Sequence, residues 1–171
     1  MIYSPQEDST FLASFVAQYA CGSVLDVGTG SGIQAATAAK NTDVTTVTAV
    51  DSNPEAIAHV TKTYPGIRSL ESDMFSAVQK EQFDTIICNP PYLPGGEEPD
   101  LSGGPEGYEW SIRFLQEAKE HLRDDGTILF LFSNHTNKER IDQEVKKHYR
   151  YEQLGELALF FERLYVYRLW R

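Results

Sequence analysis

The stretch VLDVGTGSGIQAATAAKNTDVTTVTAVD, residues 24–51, decides the fold. A short apolar strand, Val24 to Val27, breaks into glycines at every second position: Gly28, Gly30 and Gly32. An alanine-rich helical run from Ile33 to Lys40 follows, and then a β-branched strand from Val44 to Asp51. Strand, glycine turn, helix and strand in this order open an α/β sheet.

The alternation extends both ways. Upstream, Phe11, Leu12, Phe15, Val16 and Tyr19 recur at helical spacing within Ser9 to Ala20. Downstream, Asn53-Pro54 starts a helix that runs to about Tyr64, since proline is tolerated in a first turn. A weak strand, Ile67 to Glu71, and a buried one, Phe83 to Asn89, come next. The Trp110 to Leu122 helix precedes Gly126 to Phe132, a strand apolar enough to need cover on both faces. After a helix from Lys138 to Tyr149, strands Tyr151 to Phe160 and Arg163 to Trp170 form a hairpin across Phe161-Glu162. The expectation is a single α/β domain over residues 1–171: a doubly wound, seven-stranded, mostly parallel sheet ending in an antiparallel hairpin. Leu93 to Glu109, rich in Gly, Pro and acid, is a long loop of the kind more often functional than idle.

Composition narrows the partners. Twenty-five acidic against fifteen basic residues leave a net charge of -10, which repels phosphate backbones. No apolar run approaches the roughly 20 residues that cross a bilayer, and Glu7 and Asp8 stand where a secretory signal carries basic residues. A soluble, cytoplasmic chain is expected, with no membrane partner and with nonspecific nucleic-acid binding disfavoured. Cys21 and Cys88 read as reduced core thiols, and His59, His121, His135 and His148 share no metal spacing.

Ile33 removes the glycine run from the dinucleotide pattern, so the turn suits a flat ligand without phosphates. Asp51 ends the second strand, where an acidic residue accepts both hydroxyls of a ribose. In Ser72-Asp73-Met74-Phe75, Asp73 suits an adenine amino group, with Met74 or Phe75 packing on the ring. These features describe an adenosine ligand, and S-adenosylmethionine fits. The expected cofactor set is Asp26, Gly28, Thr29, Gly30, Gly32, Asp51, Ser52, Asp73, Met74 and Asn89; the bland alternative is a plain strand-to-helix turn.

Asn89-Pro90-Pro91-Tyr92 closes the fourth strand at the edge where open α/β sheets bind ligands. Strand termination explains the prolines alone. A planar nitrogen has a delocalised lone pair and must be positioned before it attacks. The Asn89 side-chain oxygen and the Pro90 carbonyl each suit one N–H of such a group, Pro91 stiffens the turn and the Tyr92 ring covers one face.

VLDVGTGSG, VDSNP, SDMF and NPPY in this order resemble the Rossmann-like class I methyltransferases of the amino-methylating type. The opening YSPQEDST is similar to the Tyr-x-Pro-x-Glu-Asp-Ser/Thr segment of the compact, HemK-related glutamine N5-methyltransferases of eukaryotes and archaea. Gly103-Gly104-Pro105-Glu106-Gly107 and the closing LALFFERLYVYRL also resemble that branch. The resemblance implies S-adenosylmethionine as cofactor and, as substrate, the Gly-Gly-Gln glutamine of a class 1 translation release factor. It implies that Asn89 and Pro90 hold the amide, that Tyr92 packs on it, and that Pro5, Glu7, Asp8 and Thr10 close over the cofactor. It also implies a small zinc-binding activator protein as heterodimer partner.

Three other readings stay open: adenine-N6 methylation of a flipped base, protein lysine methylation, and a non-catalytic cofactor-binding subunit. Glu7, Asp8 and Ser9 also suit a helix cap. Glu97, Glu98 and Asp100 suit a basic docking surface, and Phe160, Phe161, Leu164 and Tyr165 are expected in the hairpin core, with a partner surface as the alternative.

Overall fold

The computed structural model describes residues 6–91, 95 and 103–171. Pro5, Tyr92, Glu97, Glu98, Asp100 and most of the Leu93–Glu109 stretch lie outside the described residues.

Helix α1 (Glu7–Tyr19) leads into β1 (Gly22–Val27), α2 (Ile33–Ala38), β2 (Val44–Asp51), α3 (Pro54–Thr63), β3 (Arg68–Glu71) and β4 (Phe83–Cys88). Then come α4 (Glu109–Ala118), β5 (Leu122–Ser133), α5 (Lys138–His148), β6 (Arg150–Ala158) and β7 (Arg163–Trp170). The seven strands form one sheet in the order β3-β2-β1-β4-β5-β7-β6. All neighbours are parallel up to β4–β5, and β7 runs antiparallel to both β5 and β6. The expected architecture is therefore observed.

Strand alternation builds two cores. Leu25, Val27, Ile86, Ile128, Phe130 and Phe132 face a cluster completed by Phe114, Leu115 and Ile141. Val24, Ile87, Leu129 and Leu131 face the other, with Leu12 and Val16 of α1. Each fully buried large side chain contributes on the order of 1.5–3 kcal/mol. This two-sided cover holds the strand ends rigid.

Three expectations are corrected. Leu164 and Tyr165 are buried as expected, but Phe160 and Phe161 are exposed, because the Leu159–Glu162 turn lifts them off the sheet. Cys21 is exposed just before β1; only Cys88 is a core thiol, with its pKa raised by burial and by nearby Asp26. Strand β5 starts at Leu122, not Gly126. Phe83 pairs with Leu122 and Thr85 with Thr127, so polar residues 123–126 form a bulge that carries no apolar signal.

Candidate cofactor and acceptor site

Register sets the candidate residues in a row. Val27 pairs with Val50 on one side and Cys88 on the other. Gly28, Asp51 and Asn89 therefore stand one residue past the same rung, on three adjacent strands. Asp73 follows β3 at the end of that row. The sheet order reverses between β1 and β4, the place where such sheets leave a crevice.

Gly28, Gly30 and Gly32 have φ of +71°, +51° and +81°. A Cβ at Gly28 or Gly30 would meet nothing within 4 Å, whereas one at Gly32 would sit 2.9 Å from Val60 Cγ2 and 3.0 Å from Tyr64 Cε2. The first two glycines keep a cradle open; the third lets α3 approach. Asp51 stabilises the turn from β2: its Oδ2 accepts the Gly30 N–H at 2.8 Å and its Oδ1 accepts the Asn53 N–H at 2.8 Å. Ser52 is exposed beside it.

Asp26 is fully buried. Its Oδ2 accepts from the Thr29 hydroxyl at 2.6 Å and from the Ala35 N–H at 3.1 Å. Burial and, more weakly, the Asp51 charge push its carboxyl up to about 6, although both hydrogen bonds pull the other way. Thr29 therefore acts through Asp26, its hydroxyl turned inward.

In the Ser72–Phe75 turn, Met74 is buried with φ of +48°, and the Ser72 hydroxyl donates to its carbonyl at 2.8 Å. Phe75 is a core ring, stacked on His121 at 4.5 Å and on Phe114 at 5.8 Å. Asp73 is gripped by Arg113 of α4, whose two terminal nitrogens donate at 2.9 and 3.0 Å. Arg113 has no motif signal; it is one arginine on an amphipathic helix.

At the end of β4, Asn89 Nδ2 donates to Asp8 Oδ2 at 2.9 Å. Asn89 Oδ1 is buried and finds no hydrogen-bond partner among the described residues. Asp8 and Ser9 are themselves buried in the first turn of α1, the Ser9 hydroxyl donates to Asp8 Oδ1 at 3.3 Å, and Gln34 Nε2 donates to the Ser9 carbonyl at 2.9 Å. Glu7 and Thr10 are exposed on the same turn, and no side chain caps the helix. Pro90 is buried; Pro91 is half-buried, and its carbonyl lies so near Gly103 that a Cβ there would come within 2.9 Å. Gly103 and Gly107 thus bring the returning chain against the NPP turn.

Residues 5–159 match the family model of the methyltransferase small domain. The chain belongs to that methyltransferase family. The small-domain methyltransferase is 31% identical, over 99% of its length and 92% of the relative's, to a Methanocaldococcus jannaschii protein named provisionally as a protein N5-glutamine methyltransferase. It is 38% identical over 62% of its length to the release factor glutamine methyltransferase of Koribacter versatilis, of which it spans 44%. Its fold matches one chain of the E. cuniculi Mtq2–Trm112 complex at a TM-score of 0.84, with 22% identity and coverage of 99% of this chain and 98% of that one.

The cofactor of this methyltransferase is S-adenosylmethionine, and the residues present fit it. The turn at Gly28 and Gly30 leaves room for flat approach, and Asp26 Oδ1 and Gln34 Oε1 are buried acceptors without a partner among the described residues, suited to an ammonium. Asp26 and the turn would hold the amino-acid end, Asp51 the ribose, and the Ser72–Phe75 turn the adenine. Among the described residues, no cluster of His, Cys, Asp or Glu could hold a metal, and no helix is long and apolar enough to cross a membrane.

Proposed function

We propose that this methyltransferase modifies the side-chain amide nitrogen of the glutamine in the Gly-Gly-Gln loop of a translation release factor. The single observation that carries the reading is the Asn89 carboxamide, whose donor end is occupied by Asp8 and whose acceptor end is buried and unpaired.

A carboxylate beside an amide admits only the NH2 end, so Asp8 fixes which way Asn89 points. A charge-assisted hydrogen bond of this kind contributes about 1.5–3 kcal/mol. Asn89 Oδ1 then awaits one N–H, and the Pro90 carbonyl next to it supplies a second acceptor. An amide NH2 held by both hydrogens has its lone pair directed out of its plane. The negative Asp8, one residue from the amide, also favours the positive charge that develops on the attacked nitrogen. When bound, S-adenosylmethionine supplies an electrophilic methyl group on a sulfonium. Tyr92 is the proposed cover for one face of the acceptor.

The substrate assignment is supported by the full-length likeness to the archaeal relative and by the bacterial release-factor enzymes. A small zinc-binding activator is proposed as partner, on the strength of the Mtq2–Trm112 assembly and of the four-residue edge strand β3, which offers an outer side for strand addition. The cytoplasm, where translation terminates, is the proposed location. Adenine methylation on nucleic acid runs against the net charge of -10.

The test is incubation of the purified protein with labelled cofactor and cell extract. Label on a release-factor glutamine supports the reading; label on lysine or on nucleic acid overturns it.

A further inference from the structure

Phe160 and Phe161 are 93% and 84% exposed, and their rings meet edge to face with centroids 4.7 Å apart. Two adjoining bare aromatics form an apolar knob that a chain this polar has no folding reason to keep on its surface. The knob is held in place. The Leu159 N–H donates to the Glu162 carbonyl at 2.7 Å, the Arg163 N–H donates to Asn134 Oδ1 at 2.7 Å just past β5, and the Arg163 guanidinium pairs with Glu156.

Register shows where the knob stands. Cys88, immediately before Asn89, pairs with Phe130, which pairs with Tyr167; Ser133 pairs with Leu164. The hairpin turn therefore rises from the same sheet edge as Asn89, two strands away. At strand spacings of about 4.8 Å and rises of about 3.3 Å per residue, that is roughly 10 Å across and about 15 Å further out.

We infer that the Phe160–Phe161 tip docks the acceptor protein, seating in an apolar depression beside the loop that presents the reacting amide; this rests on the glutamine reading. A single carboxamide offers Asn89 and Pro90 two hydrogen bonds and a ring face, too little to select one protein among many. Selectivity must come from surface remote from the reacting atom, and buried aromatic anchors are the side chains that supply it. A knob placed on the acceptor edge is touched by a substrate large enough to reach it and by no small one.

The test compares two acceptors, the intact release factor and a short peptide carrying its Gly-Gly-Gln loop, in the wild type and in the Phe160→Ser/Phe161→Ser double variant. The tip predicts a KM for the intact protein at least tenfold higher in the variant, with kcat near the wild-type value and peptide methylation unchanged. Peptide turnover also shows that the variant folds. An unchanged KM for the intact protein overturns the inference while leaving the glutamine reading standing. A wild type that methylates neither acceptor overturns that reading and the docking with it. A wild-type dimer that the double variant turns into a monomer assigns the tip to self-association and also overturns the inference.

Discussion

Asn89 and Asp8, 81 residues apart in the chain, are joined by a 2.9 Å hydrogen bond from carboxamide to carboxylate. On the proposed reading of Asn89, the bond makes Asp8 a positioning residue for the acceptor. Asp8→Asn removes the charge and lets the partner present either end of its own amide, so Asn89 loses its enforced orientation. The expected result is a fall in kcat of roughly ten- to hundredfold, from the 1.5–3 kcal/mol of a charge-assisted bond, with cofactor Kd within a few-fold. Calorimetry and steady-state kinetics check it. Combining Asp8→Asn with Asn89→Ala should add almost nothing to Asn89→Ala alone, because both act through one contact.

The glycines divide by what a methyl group would meet. Gly30→Ala adds a Cβ into open space at φ of +51°, so it costs about 1–2 kcal/mol of stability through the left-handed backbone, while the methyl intrudes on the cradle. Gly32→Ala adds the same strain and a contact 2.9 Å from Val60. Thermal unfolding should show the larger loss for Gly32→Ala, whereas Gly30→Ala should lose at least tenfold in cofactor affinity at a smaller drop in Tm. Equal effects on both quantities would refute the division.

Asp26 gives a pH dependence with a definite sign. Its carboxyl is raised from 3.8 to about 6 by burial, so between those values the folded chain keeps a proton that the unfolded chain has released. Its contribution to stability is therefore present below about 4 and falls as pH rises through 6, by on the order of 3 kcal/mol. Asp26→Asn should flatten that part of the stability curve in denaturant titrations. An ammonium brought against Asp26 favours the ionised form, so cofactor affinity should weaken below pH 6, and binding there should release a proton, detected as a buffer-dependent heat. A pH-independent affinity from 5 to 7 would exclude the contact.

What the sequence disclosed follows from physics that is local. The β-branched run Val44–Asp51 and the apolar Phe83–Cys88 announce themselves as strands, and the glycines announce a turn that other residues enter at a cost. Asn89 stood out because prolines after a buried strand need a reason. What stayed hidden depends on packing between distant segments. Asp8 looked like a cap or a cofactor lid, and only the seating of α1 against α2 and β5 brings it to Asn89. Arg113 reaches Asp73 across 40 positions by the same kind of accident of packing. Phe160 and Phe161 read as core because they are apolar, and only the turn closed between Leu159 and Glu162 sets them outside it.

The most direct test is methylation of a Gly-Gly-Gln peptide by the wild type, Asn89→Ala and Asp51→Ala, with cofactor Kd measured on each and the methylated atom located by mass spectrometry. The account predicts a methyl group on the glutamine side-chain nitrogen. It predicts that Asn89→Ala loses turnover by two orders of magnitude or more while keeping cofactor affinity within a few-fold, and that Asp51→Ala loses cofactor affinity, by roughly 1.5–3 kcal/mol per lost bond. A methyl group on any other atom, or an Asn89→Ala enzyme that turns over near the wild-type rate, would contradict it.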